Sequence, residues 1–317
     1  MDLLSQTVNL LRTHGQLYGR LEFAAPWGFR FPGEKGICLM VTRGSCVLGV
    51  KEQQPRVPLV GGDFIFLSSP TSYSLRSSLE VPLRQIEEVT SEAEFRRSRL
   101  ITDAGESGPR TSLIAGCFRF ATPESEWLAR CLPPVIHVST PGAHSPQWFQ
   151  STLQFVETEI VQDLPGAAAV VDRLAEVLFV HALRTRVTAS VPNDNPSWLR
   201  ALADPQMAAA LRLMHTEPGH PWTVPELARA VSMSRSAFAA RFKALVGRTP
   251  LDHLTEWRMV RAAGMMRQGR HLKLAAVAAA VGYESESAFG KVFGRVMGVS
   301  PGRYRRQLPA DTAQSTP

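Results

Sequence analysis

Cysteine is scarce in this 317-residue chain: there are four, and none is spaced as a CxxC pair or a zinc finger. Cys38, Cys46, Cys117 and Cys131 therefore read as thiols kept in a reducing compartment, used as small apolar side chains. Long hydrophobic runs are also missing. Apolar residues make up 44% of the chain, yet no window approaches the roughly 18 uninterrupted ones of a membrane span, so no membrane partner is expected. The start, Met1-Asp2-Leu3-Leu4-Ser5, lacks the basic residues and apolar run of a secretory signal, and the expected location is the cytoplasm.

What is present divides into two halves. The length suits two domains. Residues 1–196 carry 18 Lys/Arg against 20 Asp/Glu, whereas residues 197–317 carry 17 against 8. A near-neutral half joined to a strongly basic one suggests a phosphate-binding module attached to something else.

Residues 20–90 read as β structure. Short apolar runs at Ile37–Val41, Cys46–Val50 and Phe64–Leu67 are separated by turn residues such as Gly61-Gly62-Asp63, which favours a barrel or sandwich. Next come two helical stretches, Trp148–Gln162 and Ala167–Val187, joined at Leu164-Pro165-Gly166 as a hairpin. Val171, Leu174, Ala175, Leu178 and Ala182 line one face of the second, as core or as a dimer seam. Residues 188–197 hold two prolines, two asparagines and an aspartate and read as a linker; residues 307–317 read as a disordered tail.

The basic half contains a degenerate duplication. Leu227-Ala228-Arg229-Ala230-Val231 returns as Val277-Ala278-Ala279-Ala280-Val281, and Phe238, Phe242, Gly247 and Pro250 return 51 residues later as Phe289, Phe293, Gly298 and Pro301. In each copy a short amphipathic helix is followed by a serine (Ser234, Ser285) able to cap a second helix, which a glycine ends. Two short helices joined by a tight turn form a helix-turn-helix, expected at about 224–247 and 274–298. Thr249-Pro250 starts a connecting helix of about 18 residues, spanning about 27 Å. That length can hold two recognition helices against major-groove faces recurring about every 34 Å. Arg303, Arg305 and Arg306 follow at the end, placed for phosphates.

With Ser232-Met233-Ser234-Arg235-Ser236, Arg241-Phe242, Gly247-Arg248-Thr249-Pro250, Trp257-Arg258-Met259, Val281-Gly282-Tyr283 and Gly298-Val299-Ser300-Pro301, the C-terminal half resembles the AraC/XylS family of bacterial transcription regulators. Ala25-Pro26-Trp27-Gly28, Arg43-Gly44-Ser45-Cys46, Gly62-Asp63 and Leu132-Pro133-Pro134-Val135-Ile136-His137-Val138 resemble the cupin-type sensor of one branch of it. The resemblance implies an α+β protein: a cupin-like β-barrel sensor over 1–146, a dimerising helical hairpin over 147–187, and an all-α DNA-binding domain with two helix-turn-helix motifs over 198–306. It implies promoter DNA and a second copy of the chain as partners, with RNA polymerase and a small-molecule effector as further ones.

The family's base-reading positions correspond to Ser236, Ala239 and Ala240, then Glu286, Ser287, Gly290 and Lys291. Arg235, Lys243, Lys291 and Arg295 would hold phosphates or guanine edges, Ala239 and Ala240 could touch thymine methyls, and Glu286 could accept from a cytosine amine. Gly290 and Gly294 each cost about 1 kcal/mol of helix propensity, with either closer approach to the DNA backbone as the return or a mildly unstable second motif as the result. Metal-binding cupins supply clustered histidines, and barrels of this branch carry His near positions 38 and 73; here stand Cys38 and Tyr73, so no metal or other cofactor is expected. A small molecule could instead sit near Cys38, Phe66 and Tyr73. Alternatively Cys38 and Cys46 could be oxidised, as relatives that respond to reactive chlorine are, with Arg43 lowering a thiol pKa.

Two other classes compete. An enzyme built on the cupin, an isomerase or dioxygenase, has no catalytic constellation to support it, since His137 and His144 sit near proline-rich turns as structural imidazoles and Trp27 as a packing residue. A DNA-architectural or anti-activator protein without an effector stays open because the ligand set is missing and the pocket positions are uncharged.

Overall fold

In a computed structural model, residues 13–33, 36–50, 56–68, 72–91, 100–103, 108–120, 122–139, 147–162, 164–188, 198–269 and 271–308 are described. Of the expected linker 188–197 and tail 307–317, residues 189–197 and 309–317 lie outside them, as does His144, whereas Thr188 and Gln307 each end a helix. Two compact units result. One comprises residues 12–121 and 129–192; the other gathers Thr122–Leu128 with the chain from Asn193 onward.

The first unit is built from two sheets. β1 (Thr13–Ala24), β3 (Ile37–Arg43), β6 (Phe64–Leu67), β9 (Leu100–Asp103), β10 (Arg110–Phe120) and β11 (Val135–Val138) form a sheet in the order β11-β6-β3-β10-β1-β9. β2 (Gly28–Phe31), β4 (Ser45–Gly49), β5 (Val57–Val60), β7 (Tyr73–Arg76) and β8 (Arg84–Gln85) form the other, in the order β5-β4-β7-β2-β8. Among the described residues the sheets share no strand and do not close into a ring. The expected barrel is therefore two facing sheets around one core.

That core takes Leu21, Phe23, Trp27, Phe29, Leu39, Val41, Leu48, Leu75 and Leu113 from both sheets. Trp27 packs as expected, its ring 4.8 Å from that of Phe23. β10 lies between β1 and β3, so the longest pairing of the domain comes from residues beyond the expected β region.

A short helix, α1 (Pro123–Arg130), follows β10, and the hairpin is α2 (Gln147–Gln162) and α3 (Ala167–Thr188). Gly166 turns between them with φ +93°, a left-handed conformation that glycine adopts without a Cβ penalty. Val171, Ala175, Leu178 and Ala182 are buried with Leu174 half-buried, and Phe179 of the same helix packs on Phe66 (4.6 Å) and Phe118 (4.9 Å) of the six-stranded sheet. The stripe is thus core within the chain. What it leaves outward is Trp148 and Phe155 on α2 and Val170 and Val177 on α3, with Phe155 and Val177 about half exposed (48% and 49%).

The second unit is helical: α4 (Trp198–Leu202), α5 (Pro205–Thr216), α6 (Val224–Ala230), α7 (Arg235–Val246), α8 (Pro250–Gln268), α9 (Leu274–Ala280), α10 (Glu286–Met297) and α11 (Pro301–Gln307). α4 and α5 precede the duplicated part and complete the first motif's core. Met207, Leu211 and Met214 pack there with Leu227, Phe238, Phe242 and Leu254. A separate core holds Met259, Ala263, Met266, Val277, Val281, Phe289 and Phe293. The N-terminal part of α8 therefore belongs to the first motif and its C-terminal part to the second. Among the described residues no helix is long and apolar enough to cross a membrane.

Candidate nucleic-acid interface

Local chemistry sets both recognition helices in the same way. α7 and α10 have 12 residues each and start 51 positions apart. The Ser234 side chain accepts from the Ala237 backbone N–H and Ser285 from that of Ala288, each satisfying one of the first-turn amides that a helix leaves unpaired. Both helices end on a left-handed glycine, Gly247 at φ +85° and Gly298 at φ +75°. Phe238 and Phe242, and Phe289 and Phe293, are fully buried and fix which face looks out.

The outward face of α7 presents Arg235, Ser236, Ala240 and Lys243 exposed, with Ala239 half-buried. On α10, Glu286, Ser287, Lys291 and Arg295 are exposed and Gly290 and Gly294 half-buried. An added Cβ at Gly290 or Gly294 would meet no atom within 4 Å. Among the described residues, no close neighbour calls for glycine there.

Other cations are committed within the protein. Arg241 is held 2.6 Å from the Asp204 carboxylate, which also caps α5. Arg305 donates to the Leu272 carbonyl, whereas Arg303 and Arg306 are exposed.

Beneath α7 lies a buried cluster that sequence reasoning missed. His215 of α5 and His253 of α8 place their Nε2 atoms 2.9 Å apart, one donating and one accepting. Trp257 stacks on His215 at 4.1 Å, and Trp127 packs on His253 and Trp257 while donating to Glu256, which also pairs with Arg248. Burial, then the positive charge of Arg261, lowers the His215 pKa to about 3; burial, then His215 and Arg248, lowers that of His253 well below its ordinary 6.5. The unfolded chain therefore binds protons that the folded one refuses, and stability falls as pH drops from 6.5 toward 3. Between pH 7 and 6 the two histidines should together remove about 1.4 kcal/mol, and calorimetry of the full chain at those pH values should show it. The same loss in a His215→Leu/His253→Leu variant would contradict this assignment.

The sensor residues do not converge. Cys38 and Phe66 are register partners on β3 and β6; Phe66 lies against α3. Tyr73 stacks on Phe31 at 4.9 Å in the core between the sheets. Cys46 sits in that core. Burial, and then the Asp63 carboxylate, pushes its thiol up to about 12; burial, with Cys117 nearby, pushes Cys38 up further. Arg43 does not figure among the causes acting on either thiol. His137 faces Asp63 at 3.0 Å, a pairing that ties β11 to the start of β6. Among the described residues no three His, Cys, Asp or Glu side chains cluster as a metal site.

A two-sheet sensor followed by duplicated helix-turn-helix motifs with basic outward faces defines a two-domain DNA-binding transcription regulator. The cupin family matches residues 2–188 and the helix-turn-helix domain family residues 227–307. The chain is 39% identical to a protein named as an AraC-like transcription regulator in Streptomyces antibioticus, over 96% of this chain and 99% of that one. It is 27% identical to the HTH-type transcriptional regulator AlkR of Acinetobacter baylyi, over 97% and 100%. It is 33% identical to the RCS-specific activator RclR of Escherichia coli, over 62% and 69%. The chain belongs to the AraC-like transcription regulators.

Proposed function

We propose that the protein binds promoter DNA as a dimer, with α7 and α10 of each subunit in successive major grooves of one duplex, and that a small molecule at the N-terminal domain modulates it. The observation that carries this reading is the pair of matched recognition helices joined by the 19-residue α8, about 28 Å long. Ser236, Ala239 and Ala240 on α7, and Glu286, Ser287, Gly290 and Lys291 on α10, would face base edges. Arg235, Lys243, Lys291 and Arg295 would hold phosphates or guanine edges.

Lys291→Ala should weaken operator binding and lower the salt slope by about one, measured by gel shift across a salt series. Unchanged affinity and slope would remove Lys291 from the interface.

The likeness of residues 2–188 to the cupin family is what supports a small-molecule effector at this domain. A thiol signal is the weaker alternative. Burial and the Asp63 carboxylate push the Cys46 thiol well above its ordinary range, which disfavours the thiolate, the reactive form. The dimer seam is assigned to Trp148, Phe155, Val170 and Val177, since the opposite face of α3 is already used. A Phe155→Glu/Val177→Glu variant should sediment as a monomer; a dimer of wild-type strength would move the seam elsewhere. A regulator of this kind works in the cytoplasm and meets RNA polymerase at the promoter, without catalysing a reaction.

A further inference from the structure

The two motifs are joined by more than α8. The loop before α6 is fixed to the first motif: His220 pairs with Glu226 at 2.8 Å, Glu226 completes a capping box with Thr223, and the Trp222 indole N–H donates to the Glu217 carbonyl. Arg258, midway along α8, reaches this loop. Its Nε donates to the Pro218 carbonyl at 2.6 Å and its Nη2 to the His220 carbonyl at 2.8 Å. The same guanidinium lies over the ring of Tyr283, 5.9 Å from its centroid, in the turn of the second motif. Tyr283 in turn packs on Phe289 of α10 at 5.8 Å.

Backbone contacts reinforce the link. A Cβ on Gly282 would stand 2.7 Å from the Gly219 carbonyl and 2.9 Å from the Arg258 guanidinium, and a Cβ on Gly219 would stand 3.0 Å from the Ala280 carbonyl. Conformation alone does not demand glycine at 282. The matching residue of the first motif, Ser232, is also left-handed (φ +56°) yet carries a side chain. Gly282 differs in having another loop pressed against it.

We propose that Arg258, with the Gly219–Gly282 contact, is a positioning element that locks the angle between the two recognition helices and so sets the half-site spacing the protein accepts. This rests on the reading that both helices engage one duplex. A guanidinium supplies a planar fork that satisfies two carbonyls at once, which an ammonium does not. With the lock released, the motifs remain tethered by α8 but are no longer pre-organised, so binding of both together loses what rigidity contributed.

The test uses the full-length protein and a duplex selected by it from a random-sequence pool. Affinities are measured on that duplex, on derivatives with 1 to about 5 bp inserted between the half-sites, up to half a helical turn, and on one with the second half-site scrambled. Wild type should lose at least about tenfold on the half-turn insertion and on the scrambled site. Arg258→Gln should lose about tenfold on the selected duplex, keep wild-type affinity for the scrambled one within about twofold, and bind the insertion series almost evenly. Arg258→Lys should fall between the two, and Gly282→Ala should follow Arg258→Gln by forcing the loops apart. Circular-dichroism melts check folding. If Arg258→Gln does not fold, Arg258→Lys and Gly219→Ala carry the same comparison. Variants with a wild-type spacing profile, or with equal losses on selected and scrambled duplexes, overturn the proposal. A wild type indifferent to both insertion and scrambling overturns the two-helix reading itself, and the proposal with it.

Discussion

Phe289→Ala is expected to unfold the second motif while leaving the first intact. Phe289 is fully buried and touches Tyr283 and Phe293, in a core separate from that of Phe238 and Phe242. Truncating a buried phenylalanine costs about 3–5 kcal/mol through lost transfer energy and a residual cavity. A core of this size has little reserve beyond that. The melt of the full chain should acquire an early helical transition, and operator affinity should fall to that of a duplex with the second half-site scrambled. A single cooperative transition, lowered as a whole, would mean that the motifs fold as one unit across α8.

Gly290→Ala/Gly294→Ala should move stability and binding in opposite directions. Alanine is favoured over glycine inside a helix by about 1 kcal/mol per site, and both Cβ positions are open, so α10 should gain about 2 kcal/mol. If the glycines let the backbone of α10 approach DNA, two added methyl groups on that face should weaken operator binding about tenfold or more, which is about 1.4 kcal/mol. Thermal melts and gel shifts on one protein sample decide both signs. A stabilised variant that binds as before would show that this face does not meet the duplex.

The duplicated motifs were legible in the sequence because their signals are local. Ser234 and Ser285 cap, Gly247 and Gly298 terminate, and Thr249-Pro250 and Ser300-Pro301 restart, each through bonds to neighbours a few residues away. The sensor domain was less legible. Ile37–Val41 is buried along its whole length, so no apolar–polar alternation tells which residues face the other sheet. That is why Cys38, Phe66 and Tyr73 could be grouped in sequence although Tyr73 lies in the inter-sheet core and Phe66 against α3. β10 was missed for a related reason: its partners β1 and β3 are some 70 to 100 residues away, and pairing at that range leaves little local trace.

The candidate interface divides in the same way. The AraC/XylS resemblance pointed to its outward residues, and the buried phenylalanines of α7 and α10 leave that same face outward. Arg258 could not be read so, because its acceptors are backbone carbonyls of a loop 38 and 40 residues earlier, and carbonyls have no sequence signature. The His215–His253 pair depends on the crossing of α5 and α8, which periodicity does not set.

The central claim is that α7 and α10 of one subunit occupy successive major grooves on the same side of a duplex. Hydroxyl-radical footprinting of the full-length protein on a duplex carrying the site of a single subunit tests it most directly. Two protected windows about 10 bp apart, on one face of the helix, are the expected result. One window alone, or two lying on opposite faces, would contradict it.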